Sequence, residues 1–164
     1  MKHPDATART RAPGRISAAL SLLALLASTL IVSSASPAQA DNGYCGHNVL
    51  GAIENRYIAM GGPGGALGCP RTDELVNPDK VGRRTQFEHG TIYWSPRSGA
   101  WPVWGEIGRY WCDDGCETGW RGYPTSYEYP VGKEIRQKFQ CTVIHFQDLS
   151  GGTQKLWSDE NTCV

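Results

Sequence analysis

The chain has 164 residues, with 16 Lys and Arg and 16 Asp and Glu, so its formal net charge is zero. Four of the basic residues but only one of the acidic ones precede residue 41, which leaves 12 basic and 15 acidic residues beyond it. These charges are dispersed and form no basic stripe, which argues against nucleic acid and against an anionic membrane surface as partners.

The first 40 residues have the pattern of a secretory signal peptide. A start rich in Lys and Arg is followed by an apolar run from Ile16 to Val32 and by the Ala-x-Ala sequence at residues 38–40. A transmembrane anchor is the alternative, but the run is short for a span of about 20 residues, and small residues rather than positive charges follow it. We therefore expect cleavage after Ala40, an exported protein that is secreted or associated with the cell wall, and no membrane span in the mature chain.

Residues 41–164 are enough for a single domain, and they contain all six cysteines. An even number of cysteines in an exported chain indicates disulfides. Zinc is the alternative for the close pair with C-x3-C spacing, but a zinc site needs a second close pair of ligands, and the histidines are isolated. The pairing that favours local loops joins Cys45 to Cys69, Cys112 to Cys116 and Cys141 to Cys163.

The first predicted element beyond the leader is a helix over residues 50–60, where apolar side chains recur at helical spacing. The next segment, GGPGGALGCPRTDE at residues 61–74, begins with two glycines that end the helix and predicts a fixed series of turns. Two strands at residues 87–94 and 100–104 are then predicted to form a hairpin around the turn sequence SPRSG.

The same order of elements recurs about 54 residues later. A second helix is predicted from Trp104 to Cys112, and GCETGWRGYPTSYE at residues 115–128 shares five positions with the first loop. A second hairpin follows around residues 148–152, with two residues fewer in the linker before it. A period near 50 residues indicates a repeat architecture.

We therefore predict an α+β domain built from two tandem helix–Gly/Pro loop–β-hairpin repeats and crosslinked by disulfides. The repeats span about residues 49–102 and 103–157, with short cysteine-bearing ends. Two units are fewer than the three that a repeat stack usually needs, and disulfides offset part of the shortfall by about 2–4 kcal/mol each.

Each Gly/Pro loop contains four residues that resemble the core of the LGFP repeat, and we call them the loop motif. The motif stands as Leu67-Gly68-Cys69-Pro70 in the first copy and as Arg121-Gly122-Tyr123-Pro124 in the second, which departs from the family pattern at Arg121. The flanking GTIYWSP at residues 90–96 also resembles the family, and the resemblance spans about residues 49–157.

The resemblance implies an exported bacterial module that binds cell-wall polysaccharide. LGFP repeats often accompany mycolyltransferases or amidases and are thought to tether them to the wall. Cell-wall polysaccharide is therefore the expected partner, and an exported enzyme or a second copy of the chain is a further candidate.

We expect no catalysis and no cofactor. The sequence has no G-x-S-x-G nucleophile motif. A glycosidase needs two carboxylates facing each other across a sugar, whereas Asp73 and Glu74 are adjacent and point to opposite sides of an extended segment. Glu74 and Glu128 occupy equivalent positions in the two copies, which favours a structural role, such as binding backbone N–H groups of the turn.

Aromatic side chains are the best candidates for contact with sugars, and all six Trp and seven Tyr lie beyond residue 40. Aromatic residues with an aromatic counterpart in the other copy, such as the pairs Tyr57/Trp111 and Trp104/Trp157, are assigned to the core. Those with polar, small or charged counterparts are predicted to be exposed and to contact glycan, with core packing as the alternative for each. These candidates are Tyr93, Trp101, Trp120 and Tyr127.

Binding or inhibition of another protein is the alternative function for a small disulfide-crosslinked secreted protein. Such a protein presents a constrained loop or an apolar patch without polar partners. The tip Asp113-Asp114-Gly115, between Cys112 and Cys116, is a candidate for that loop. The resemblance to LGFP repeats favours the polysaccharide.

Overall fold

Residues 43–163 are described in a computed structural model of the chain. The predicted signal peptide at residues 1–40 lies outside these residues. The described part begins with a short hairpin of strands β1 (Gly43–Tyr44) and β2 (His47–Asn48). The following elements are α1 (Gly51–Ala59), a 3-10 helix (Gly62–Gly64), β3 (Leu75–Val76), β4 (Arg83–Phe87), β5 (Gly90–Ser95), β6 (Gly99–Val103), α2 (Gly105–Asp113), a second 3-10 helix (Cys116–Thr118), β7 (Tyr129–Val131), β8 (Glu134–Lys138), β9 (Val143–Leu149) and β10 (Thr153–Ser158).

Strands β3–β6 form one four-stranded antiparallel sheet and β7–β10 form another, each with its strands in chain order. We call α1 with β3–β6 the first unit and α2 with β7–β10 the second unit.

The combination of helices, antiparallel sheets and disulfides confirms the α+β expectation in outline, although strands predominate. Each sheet has two more strands than the predicted hairpin. The predicted strand at 87–94 is wrong at its start, because Phe87 ends β4 and the chain turns before β5.

Both helices lie within two residues of their predicted bounds. Each buries an isoleucine and an aromatic residue one turn apart, which is the spacing that places two side chains on one helix face. Gly61 and Gly115 follow the helices in the left-handed conformation, with φ of 96° and 97°, and so end them. The buried pairs are Ile53 with Tyr57 and Ile107 with Trp111.

A hydrogen bond from each helix holds the glycine of the following loop motif. The Tyr57 hydroxyl donates to the carbonyl of Gly68 at 2.7 Å, and the Trp111 indole N–H donates to the carbonyl of Gly122 at 3.0 Å. The two donors differ chemically, but they occupy the same helix position and bind the same carbonyl. Both aromatic side chains are fully buried, so this bond is shielded from competing water.

The glycine of the loop motif is required by its backbone and by its surroundings. Its φ is +69° at Gly68 and +67° at Gly122, a conformation that other residues adopt only with strain. A Cβ would also lie 2.3 Å from Glu88 in the first unit and 2.4 Å from Gln140 in the second. Those two side chains lie there because an oxygen of each accepts the backbone N–H of the residue after the glycine, at 3.2 Å in both units.

The sheet of the first unit has apolar side chains on both faces. Ile92 packs in the cluster around α1, whereas its neighbour Tyr93 belongs to the cluster around α2. Trp111 of α2 is fully buried, with its ring centroid 4.8 Å from that of Tyr93 in the first sheet and 5.3 Å from that of Phe139 in the second unit. Helix α2 is therefore packed between the two sheets.

The outer face of the second sheet carries polar groups instead. His145 stands where the first unit has Tyr93, and its two ring nitrogens lie 3.1 Å from a Glu134 oxygen and 3.0 Å from an Asp159 oxygen. Trp157 stacks on the His145 ring with the centroids 4.8 Å apart. Such polar groups suit a sheet face that no other unit within residues 43–163 covers.

The six cysteines are paired as the sequence predicts. One disulfide ties the β1–β2 hairpin to the first loop motif, one spans the end of α2, and one ties the C-terminal segment to the second unit. A disulfide that closes a loop typically stabilises the fold by about 2–4 kcal/mol. The pairs are Cys45–Cys69, Cys112–Cys116 and Cys141–Cys163.

The bond between helix and loop motif can be tested by Tyr57→Phe, which removes only the hydroxyl. We expect the free energy of unfolding to fall by about 1–3 kcal/mol, because the buried carbonyl of Gly68 loses its donor. Denaturant titration followed by circular dichroism measures this change. Tyr129→Phe is the matched control, since the Tyr129 hydroxyl has no hydrogen-bond partner within residues 43–163. An equal loss in the two variants would contradict the assignment.

Candidate functional site

Tyr93 does not lie at the surface, although the sequence predicts that it does. Its side chain is 8% exposed and packs edge-to-face on Trp111 between the two units. Burial raises the pKa of Tyr93 to about 12. The expectation is wrong because the counterpart used to derive it, His145, lies on the outer face of the second sheet, whereas Tyr93 lies inside the stack.

Trp101 and Tyr127 are brought together from different units. Trp101 lies on β6, the edge strand of the first sheet, and Tyr127 lies just before β7 of the second sheet. Their rings are edge-to-face, with centroids 5.2 Å apart and planes at 90°. Tyr127 is 36% exposed and Trp101 is half-buried. The pair therefore lies at the surface where the units meet.

Arg56 of α1 completes this group, and nothing in the sequence pattern pointed to it. Its guanidinium carbon lies 4.0 Å from the ring centroid of Trp101 and 4.8 Å from that of Tyr127, within the range of cation–π attraction. Nε donates to the carbonyl of Ala100 and Nη1 donates to the hydroxyl of Tyr127, both at 2.7 Å. We call Arg56, Trp101 and Tyr127 the seam cluster.

The edge of β6 beside the seam cluster is closed by side chains from both units. Arg56 binds the carbonyl of Ala100, and the Gln137 amide of the second unit donates to the carbonyl of Pro102 at 2.8 Å. Exposed edge strands present such unpaired groups, and a proline fits an edge because it has no N–H to pair. These bonds hold the units in register and thereby fix the position of the aromatic pair.

Two clefts lie beside the seam cluster. A cleft of about 250 Å³ runs along α1 and is lined by Ala52, Asn55, Arg56, Ala59 and Ala100. A second cleft, of about 400 Å³, is lined by Arg97, Ser98, Thr125, Gln140 and the disulfide between Cys141 and Cys163. Ser98 links this second cleft to the cluster, since its carbonyl accepts the Trp101 indole N–H at 2.7 Å and its hydroxyl accepts the Gln140 amide at 2.9 Å.

Trp120 lies in a separate group at the end of α2. It is 39% exposed, and its indole N–H donates to the Asp114 carboxylate at 2.9 Å. Arg121, which is buried at the position that Leu67 fills in the first unit, pairs with the same carboxylate. Its guanidinium also lies over the ring of Trp120, 4.8 Å from the centroid. Protein contacts alone therefore account for the orientation of Trp120.

The seam cluster is not repeated in the second unit. Strand register pairs Trp101 with Tyr93 and Trp157 with His145, so Trp157 is the counterpart of Trp101 rather than of Trp104. The residue 54 positions after Arg56 is Tyr110, which supplies no cation. Cations also lie over rings of the second unit, Lys155 over Trp157 at 4.6 Å and Arg121 over Trp120 at 4.8 Å. The seam cluster differs from these contacts in that its cation, Arg56, lies against two rings that belong to different units.

Residues 43–163 contain no group of three or more His, Cys, Asp or Glu side chains placed to hold a metal ion. Asp73 is engaged by the protein itself, since its carboxylate accepts the backbone N–H of Asn48 at 2.8 Å.

Within residues 43–163, neither helix has the length and apolar character required to cross a membrane.

The family model of the LGFP repeat matches residues 67–119. The matched segment begins at the first loop motif, includes β3–β6 and α2, and ends just before the second loop motif. This match confirms the resemblance inferred from the sequence, and together with the disulfides it indicates a repeat module associated with the cell envelope. No curated protein matches the chain.

Alkaline titration tests the burial of Tyr93. Because its pKa is raised from about 10 to about 12 in the folded state, its contribution to stability is complete below pH 10 and is lost as the pH rises through about 12. We expect a fall of up to about 3 kcal/mol in the free energy of unfolding from this residue. Denaturant titrations across this interval measure it. Tyr93→Phe lacks the titrating group and should therefore lose less stability than the wild type over the same pH interval. An equal loss in the variant and the wild type would contradict the burial of Tyr93.

Proposed function

We propose that this chain, with an LGFP repeat over residues 67–119, is an exported non-catalytic module that binds cell-envelope polysaccharide through the seam cluster. The observation that carries the proposal is the meeting of two partly exposed aromatic rings and a guanidinium from different units at one surface. Binding at the seam cluster requires both units to be packed together, because neither unit alone supplies all three side chains.

The chemistry of the seam cluster suits a sugar chain. Aromatic rings offer large, rigid and amphipathic contact areas, against which the apolar C–H faces of a pyranose can pack. Arg and Asn side chains along the α1 cleft, and Arg, Ser, Thr and Gln side chains in the other cleft, supply donors and acceptors for hydroxyl groups. An extended polymer can therefore contact the rings and a polar cleft at the same time.

Export and a place at the cell wall belong to the same proposal. Three disulfides suit an oxidising compartment outside the cytoplasm, and residues 1–40 carry the pattern of a signal peptide. Cell-wall polysaccharide is the proposed partner. An exported enzyme or a second copy of the chain is a further candidate.

The alternative, binding to another protein through the tip at residues 113–115, is not favoured by any contact at that tip. Asp113 pairs with Arg109 at 3.0 Å and Asp114 pairs with Arg121. Both carboxylates are thus engaged within the chain.

Binding to cell walls tests the proposal. The exported, oxidised protein is mixed with intact wall sacculi and with sacculi stripped of their secondary polysaccharide, and the bound fraction is measured. Tyr127→Ala should weaken binding to intact walls by about tenfold, since truncating an exposed aromatic anchor removes contact area without opening the core. Stripped walls should retain neither form.

Trp120→Ala is the matched control, because it removes an aromatic side chain of similar exposure that lies outside the seam cluster. It should leave retention unchanged, and the melting temperatures of both variants confirm that they are folded. Equal binding by wild type and Tyr127→Ala would show that the seam cluster is not the binding surface. Recovery of all forms in the supernatant would contradict polysaccharide binding.

A further inference from the structure

A cavity of about 300 Å³ opens in the first unit beside the start of α1. Its walls are Leu50, Glu74, Arg83, Trp94 and the first turn of α1. Glu74 and Arg83 provide charged groups of opposite sign, and Trp94 provides a half-buried ring. Neither the seam cluster nor the loop motif uses these side chains.

The second unit shows what fills the equivalent place. Leu50 and Trp104 both cap a helix N-terminus with extended backbone, 54 residues apart, and Glu74 and Glu128 are equivalent in the same way. In the second unit, burial raises the pKa of Glu128 and a hydrogen bond from Trp104 opposes the increase. Trp104 therefore has the same position relative to Glu128 that Leu50, a wall of the same cavity, has relative to Glu74.

Within residues 43–163, no side chain of the first unit donates a hydrogen bond to Glu74. Leu50 is 49% exposed and cannot form a hydrogen bond through its side chain. The nearest cation to Glu74 is Arg83, whose Nε lies 3.8 Å from the carboxylate, which is longer than a hydrogen bond. The expected bond from Glu74 to backbone N–H groups of the turn is absent among the described residues. Because the first unit has Leu50 where the second has Trp104, the Glu74 carboxylate faces an open cavity.

We propose that this cavity is a second carbohydrate site, which takes one neutral pyranose unit with free hydroxyl groups. A sugar ring offers a flat body that can pack on the half-buried Trp94 and hydroxyl groups that can donate to Glu74. Arg83 can donate to a second hydroxyl, and the free backbone N–H groups at the start of α1 can bind a further oxygen. The site does not depend on the seam cluster, and the two sites together would give a polymer bivalent contact.

The test uses the exported protein labelled with ¹⁵N at tryptophan, with the methyl pyranosides of glucose, galactose, mannose and N-acetylglucosamine as probes. We expect at least one probe to shift the Trp94 indole signal, with a Kd of about 1–10 mM, as befits a single sugar unit. Glu74→Gln should weaken this binding by about tenfold or more, because it exchanges a charged acceptor for a neutral one. Glu128→Gln is the matched control in the second unit and should leave the Kd unchanged.

Leu50→Trp gives the first unit the side chain of the second, and it should fill the cavity and abolish the shift of Trp94. Its melting temperature should be no lower than that of the wild type, which separates a filled cavity from a damaged fold. A Trp94 shift that persists in Leu50→Trp would overturn the proposal, and so would the absence of any Trp94 shift at the highest soluble probe concentrations. The Trp101 indole signal reports the seam cluster in the same spectra, so failure here and failure of the seam cluster are distinguishable.

Discussion

The hydrogen bond from a buried helix aromatic to the carbonyl of the loop glycine is the constraint on which each unit depends. It is made by a phenol in the first unit and by an indole in the second, at Tyr57 and Trp111. The bond fixes the distance between helix and loop, and the glycine then directs the chain into the sheet. Both copies keep this geometry, although the first residue of the motif changes from Leu67 to Arg121. The acceptor and the backbone conformation are therefore the invariant part of the repeat.

Stacking adds a second constraint, because the first sheet is covered on both faces and the second on one. Equivalent positions then face different surroundings. Tyr93 is enclosed against Trp111, whereas His145 lies in a polar network at the end of the stack. The same asymmetry places the candidate site, since Trp101 meets Tyr127 only where one unit follows another. Function is thus proposed at the junction rather than in the repeated motif.

Much of the fold could be predicted from the sequence, because local signals determine it: apolar spacing in the helices, glycines after them, and neighbouring cysteines. Strands β4 and β8 escaped prediction because their inward positions include Thr85 and Gln137, which are polar and fully buried. The site was harder to predict. Comparing the two copies made Trp101 and Tyr127 candidates, although strand register gives Trp101 the aromatic counterpart Trp157. The comparison also assumed that both copies have the same surroundings, which is why the predicted exposure of Tyr93 is wrong. Arg56 reaches both rings only after the units stack, which no local pattern encodes.

The most direct test of the central claim observes the indole N–H signal of Trp101 in ¹⁵N-labelled protein while solubilised cell-wall polysaccharide is added. Trp101 donates this N–H to Ser98 at the seam, and Trp111 is fully buried and serves as the internal reference. We predict a saturable shift of the Trp101 signal with the Trp111 signal unchanged. A Trp101 signal that stays in place while the polysaccharide binds elsewhere, or that does not respond at any concentration, would contradict it.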